Sequence, residues 1–235
     1  GLALASVGEL QEAEAAQRRA AQTRPDFAEA HYNLGNILCA RGRTPEAEAS
    51  YRHAVALQPK FALAHCNLGN TLMNQGRLQE AEASYRAALA LRPELVEARN
   101  NLGDTLRQLG RLREAEGAFR RALADRPDFA AAHYNLGNTL SDQGHFDAAE
   151  AAWRCALQCQ ADFPEALVVL GSLLREREQL EEAESALREA LRYRPDFVEA
   201  HFHLGAVLRD CNRLEEAVDE WRRALHWRPQ LPEAL

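Results

Sequence analysis

Several things are missing from this 235-residue chain, and each absence removes a class of function. No stretch approaches the ~20 consecutive apolar residues needed to cross a bilayer, and Gly1 onward shows neither a basic leader nor a signal-type apolar core, so the chain reads as soluble and without membrane insertion. The formal net charge is -7 and the pI about 5.7, with no concentrated basic stripe to displace counterions from phosphates, so nucleic acid is not expected as a partner. There is no glycine-rich phosphate loop, no serine-nucleophile motif and no convergent acid/base pair, so no catalytic residue is assigned and the chain is not expected to be an enzyme. Five cysteines, Cys39, Cys66, Cys155, Cys159 and Cys211, form neither a CxxC pair nor a zinc-type spacing. An odd, unpaired set fits a reducing, cytoplasmic compartment with no metal and no cofactor; Cys155 and Cys159 share a helix face, but packing explains them better than a metal half-site.

What the chain has instead is a period of 34 residues. His31-Tyr32-Asn33-Leu34-Gly35-Asn36 returns as His65-Cys66-Asn67-Leu68-Gly69-Asn70 and continues to His201-Phe202-His203-Leu204-Gly205-Ala206. A repeat of that length specifies stacked helical units in which each neighbour buries the other's apolar face. With the recurring glycine at position 8, position 7 is always Leu (Leu34 to Leu204) and position 11 always Leu (Leu38 to Leu208), four apart on one helical stripe. Positions 20 and 27 are always Ala, while position 24 carries Tyr51, Tyr85, Phe119, Trp153, Leu187 or Trp221, so a large side chain meets small ones in every copy.

Gly42, Gly76, Gly110 and Gly144 supply a left-handed residue after the first helix, and a proline, as at Pro59 and Pro93, follows the second. Asp26 with Glu29, Asp162 with Glu165 and Asp196 with Glu199 have the spacing of capping boxes. Glu178 stands where a turn glycine is expected and tolerates the left-handed region poorly, which predicts an altered turn there.

The joint recurrence of Leu-Gly, the two alanines and the proline resembles the tetratricopeptide repeat, over almost the whole chain. The resemblance implies an all-α fold: a right-handed superhelical solenoid of antiparallel helix pairs. Residues 1–27 read as a partial repeat, followed by six full repeats at 28–61, 62–95, 96–129, 130–163, 164–197 and 198–231. Residues 232–235 start a further, unfinished one. Incomplete ends of this kind expose apolar surface and leave homo-oligomer formation open.

In the resembling family the first helices line a concave groove, where positions 2, 5, 6, 9, 12 and 13 face inward. Position 6 is Asn33, Asn67, Asn101 and Asn135, then Val169 and His203; position 9 is Asn36, Asn70, Asp104 and Asn138, then Ser172 and Ala206. A carboxamide both donates and accepts, so such a ladder matches the backbone of an extended peptide; equally, these amides can satisfy neighbouring helix groups. A position-6 asparagine ladder is similar to that of the repeat domain of O-linked N-acetylglucosamine transferases, where it holds the acceptor polypeptide. By that resemblance Asn33, Asn67, Asn101 and Asn135 inherit the role, with Asn36, Asn70, Asp104, Asn138, Tyr32 and Tyr134 beside them. The implied function is a scaffold that binds protein or peptide segments, with a glycosyltransferase or sulfotransferase domain elsewhere in the full protein; the alternative is a structural scaffold for complex or homo-oligomer assembly.

Lysine or arginine at positions 2 and 5, which a carboxylate clamp for acidic tails requires, is missing. The position-4 histidines stand side by side along the array and do not converge on one ion. Glu48/Arg52 and its counterparts read as a solvated outer face of i,i+4 pairs.

Overall fold

The computed structural model describes residues 7–228; the start of the first partial repeat, at 1–6, and residues 229–235, which hold the end of the sixth repeat and the unfinished one, lie outside the described residues. Among the described residues there are helices and no strand. The chain divides after Asp125 into two compact units, each considered by itself.

The first unit holds α1 (Val7–Thr23), α2 (Ala28–Ala40), α3 (Thr44–Leu57), α4 (Ala62–Asn74), α5 (Leu78–Leu91), α6 (Val96–Gln108) and α7 (Leu112–Asp125). The second holds α8 (Ala130–Asp142), α9 (Phe146–Cys159), α10 (Pro164–Glu176), α11 (Leu180–Tyr193), α12 (Val198–Asp210) and α13 (Leu214–Trp227). In both, first and second helices pair as antiparallel hairpins and stack on the next hairpin, so each unit is a solenoid of antiparallel helix pairs.

The packing follows from the size pattern. Leu38, Leu72, Leu106, Leu140, Leu174 and Leu208 are buried, as are the paired alanines of the second helices of the six full repeats. Tyr51, Tyr85, Phe119 and Leu187 are also fully or almost fully buried. Each lies flat against a position-8 glycine: a Cβ on Gly35 would sit 2.5 Å from the Tyr51 ring, and one on Gly69 or Gly103 would sit 2.7 Å from Tyr85 or Phe119. Those glycines are there because the aromatic ring occupies the space of a methyl group.

The turns inside the hairpins are uniform, which corrects the expectation for Glu178. Gly42, Gly76, Gly110 and Gly144 have φ between 71° and 79°, and Glu178 and Asn212 both have φ 60°. The hydrogen bonds are also conserved in form: Gly42 N–H donates to Cys39 O and Arg43 N–H to Leu38 O, both at 2.9 Å, just as Glu178 N–H donates to Arg175 O and Gln179 N–H to Leu174 O, both at 2.9 Å. The hairpin imposes its geometry on Glu178 against that residue's local preference.

The capping boxes are not formed. The cap residues are Phe27, Phe163 and Phe197, and no side chain caps the helices that follow. At Phe27 and Phe197 the turn is closed by backbone bonds, Phe27 N–H to Arg24 O and Phe197 N–H to Arg194 O, with Arg24 and Arg194 guanidinium groups 4.4 and 4.2 Å from the phenylalanine ring centroids. This puts Asp26 and Asp196 one residue too early to reach the first amides, while Glu29 and Glu199 still sit favourably in the first turn.

Candidate functional site: the amide face of the first helices

In the first unit the position-6 and position-9 side chains join into two hydrogen-bonded clusters, each bridging two repeats. Asn36 Oδ1 accepts from the Tyr51 hydroxyl at 2.8 Å and from Asn67 Nδ2, one repeat on, also at 2.8 Å. Asn67 Nδ2 also donates to the Tyr32 hydroxyl at 3.3 Å. One repeat further the pattern recurs: Asn70 Oδ1 accepts from Tyr85 at 2.7 Å and from Asn101 Nδ2 at 2.9 Å. Burial pushes the Tyr51 and Tyr85 phenols well above their ordinary range, so both stay protonated and act as donors.

This geometry fixes which half of each amide is already engaged. Two donors occupy the lone pairs of Asn36 and Asn70 Oδ1, so these residues present N–H groups outward. Asn67 is turned the other way: its NH2 is used and its carbonyl oxygen is left open. In the first unit α4 therefore carries both kinds, Asn67 with its NH2 engaged and Asn70 with its oxygen engaged. A cleft of about 380 Å3 lies among them, lined by Asn36, Tyr51, Asn67, Asn70 and Asn74.

The other expected residues are placed differently. Asn33 is exposed and outside these clusters. Asp104 turns to Arg107 at 3.5 Å and Gln108 Nε2 at 2.9 Å within its own helix. Tyr32 packs on Phe61 with ring centroids 4.8 Å apart. In the second unit Tyr134 packs on Phe163 at 5.0 Å, Asn138 Oδ1 accepts from Trp153 Nε1 at 3.0 Å, and Asn135 lies half-buried beside them.

Sequence reasoning missed the hydroxyl and indole donors at position 24. The signal was present: Asn stands at position 9 where position 24 is Tyr51, Tyr85 or Trp153, whereas Asp104 accompanies Phe119 and Ser172 accompanies Leu187. The sixth copy departs, because Trp221 Nε1 donates to the Phe202 carbonyl at 3.1 Å and Ala206 suffices.

The position-4 side chains have a structural task. His31, His65, His133 and His201 each donate from Nε2 to the carbonyl of the proline six residues earlier, at 3.2, 3.0, 2.8 and 2.8 Å, and Arg99 does the same to Pro93. Where Ala161 replaces the proline, position 4 is Leu167. Among the described residues no group of three or more His, Cys, Asp or Glu side chains is placed to hold a metal ion, and no helix is long and apolar enough to cross a membrane.

The Glu/Arg pairs do more than solvate an outer face. Glu48 is only 13% exposed and accepts from Arg52 at 2.9 Å in its own helix, and from Arg77 at 2.7 Å in the next hairpin. Arg77 also pairs with Glu80 at 2.6 Å, and Glu80 with Arg52 at 2.8 Å, closing a ring across the joint. Arg111 repeats this on Glu82 at 2.7 Å. In the second unit Arg213 reaches Glu184 at 2.7 Å, but Gln179 leaves a gap that Arg177 fills, reaching Glu150 at 2.5 Å.

A family profile described as tetratricopeptide repeat matches residues 66–128, 100–162, 134–186 and 168–232, and a second, described as TPR repeat, matches 35–76. The chain belongs to the tetratricopeptide repeat family, and its described part is helical-repeat scaffold throughout. No curated protein matches it. Among solved structures it is similar to a chain of the Cut9–Hcn1 hetero-tetramer of the APC/C, at 18% identity and TM-score 0.83 over 98% of this chain; it spans 46% of that chain's length. PilF of Pseudomonas aeruginosa is similar at 20% identity and TM-score 0.79, over 90% of this chain and 96% of that one. YrrB, titled a TPR protein with an unusual peptide-binding site, is similar at 20% identity and TM-score 0.52, over 94% and 97%. At these identities the likeness is one of fold.

Proposed function

We propose that the amide face of the first helices binds extended protein segments through their backbone. The observation that carries this is the set of half-engaged amides in the first unit. The oxygens of Asn36 and Asn70 and the NH2 of Asn67 are engaged within the face, which leaves N–H donors on the first two and a carbonyl acceptor on the third, the complement of a peptide's own C=O and N–H groups. Fold alone does not require the position-6 amides, because Val169 and His203 occupy the same place in repeats with the same architecture. The asparagine pattern also supports a recruiting role beside a transferase domain in a larger protein, similar to that of O-linked N-acetylglucosamine transferases.

Peptide arrays provide the test. Backbone N-methylation of a bound peptide should weaken binding tenfold or more, since each carboxamide–backbone bond contributes about 0.5–1.5 kcal/mol, whereas exchanging its side chains should change little. Binding should fall likewise when Asn33, Asn67, Asn101 and Asn135 are changed to Ala, with circular dichroism confirming the fold. Undiminished binding by that folded variant would overturn the proposal.

A further inference from the structure

A second cleft, of about 630 Å3, lies in the first unit among α5, α6 and α7. Its α6 residues, Arg99, Leu102 and Leu106, stand on the side of that helix opposite Asn101 and Asp104, so the cleft shares nothing with the amide face. The floor is apolar, formed by Leu89, Leu102, Leu106 and Ala118. Leu102 is half-buried, although its counterparts Leu34, Leu68, Leu136, Leu170 and Leu204 are all at most 9% exposed. Beside it stands Gly117, where the other second helices of the first unit carry Ala49 and Ala83; a Cβ on Gly117 would meet nothing within 4 Å. This glycine answers no close approach and no left-handed turn; the space above it is open.

The rim is charged and carries Arg86, Arg99 and Arg121 beside Glu114. Arg86 is shared between Glu82 at 2.8 Å and Glu114 at 3.4 Å, and Arg99 is held by Asp125 and the Pro93 carbonyl. Arg121 is exposed and has neither an ion-pair nor a hydrogen-bond partner among the described residues.

We propose that this cleft is a docking site for an acidic amphipathic segment of a partner protein, which lays a leucine- or phenylalanine-sized side chain on the Leu89–Leu102–Leu106 floor and pairs a neighbouring carboxylate with Arg121. An apolar side chain alone would satisfy the floor and leave Arg121 without a partner; a carboxylate alone would leave the part-exposed Leu89 and Leu102 in water. The two requirements together define the occupant.

The test uses the full chain and a short fluorescein-labelled peptide built only of leucine, phenylalanine and glutamate, followed by fluorescence anisotropy. Saturable binding is expected. It should weaken roughly tenfold when glutamine replaces the peptide's glutamates, and similarly in Arg121→Glu, as loss of a close charge pair does. Gly117→Leu should abolish it by filling the cleft while leaving helicity intact, and Asn67→Ala should leave it unchanged, which separates this site from the amide face. Absence of saturation at millimolar peptide, or affinity indifferent to both Arg121→Glu and Gly117→Leu, would overturn the proposal; so would loss of binding in Asn67→Ala alone.

Discussion

The first helices α4 and α6 differ from α10 and α12 in surface chemistry while keeping the same length and the same buried position-11 leucine. Asn67, Asn70 and Asn101 give α4 and α6 a polar, cross-linked face; the matching places on α10 and α12 hold Val169, Ser172, His203 and Ala206. What replaces the amide links is varied: Trp221 turns its indole to a backbone carbonyl, and Arg175 reaches across to Asp210 at 2.7 Å. The lesson is that the hairpin stack sets where groups point and leaves open which groups they are. An amide ladder on part of the array is therefore a property of that part.

The sharpest way to probe the shared element is to remove the wedge against the position-8 glycine. Tyr85→Ala and Leu187→Ala, in the two different regions, should both lower stability, by about 3–5 and 2–5 kcal/mol respectively in urea unfolding, because each side chain is fully buried. Equal tolerance of the two losses would break the view that the wedge is common structure.

The amides should divide the regions. Asn70→Ala leaves the Tyr85 hydroxyl and the Asn101 amide without their acceptor and should cost about 1–3 kcal/mol, whereas Ser172→Ala should be close to neutral. Similar values for both would show that the position-9 bonds carry no weight. A smaller gain is expected at the strained turn: Glu178→Gly should raise stability by about 1 kcal/mol, with Asn212→Gly giving less, since Asn tolerates the left-handed region better.

The smallest effect is a splitting of two histidines on α12. Burial opposes charge on His201, but the Glu220 carboxylate at 2.6 Å and the Pro195 carbonyl outweigh it, so its pKa is raised; both ring nitrogens face acceptors. His203 is lowered, by burial and then by Arg175. The stabilisation from His201 is thus complete below about pH 6.5 and disappears as pH rises through its raised value. For His203 the order reverses: stability is complete above about 6.5 and is lost as pH falls toward its lowered value. Proton NMR titration should place the two imidazoles on opposite sides of 6.5, and a common midpoint would remove the Glu220 contact from the account.

The elements that sequence reading captured are those whose partners lie at a constant offset within the period. Leu38, Gly35, Ala47 and Tyr51 recur as a set because each hairpin packs the same way, so fold and register were legible. The capping boxes failed because Asp26 has the right spacing to Glu29 while the backbone bond at Phe27 places the cap one residue later, a shift that side-chain identity does not record. The amide face was half legible. Its position followed from helical geometry, but the direction of each carboxamide depends on Tyr51 and on Asn67 from the next repeat, a relation that emerges only by reading position 9 against position 24. Arg77 reaching Glu48 was hidden for a similar reason: the nearer partner, Arg52, already explained the carboxylate.

That arginine has a wider consequence. Within each unit, a hairpin offers a carboxylate that its successor's arginine grips, so joints made by Arg43, Arg77 and Arg111 are interchangeable fittings, and deleting one whole 34-residue module from the first unit would bring matching halves back together. The module carrying Arg177 has Gln179 in the usual arginine's place and grips only from two residues earlier in its turn, where Arg41 adds a second hold on Glu14 in the first unit.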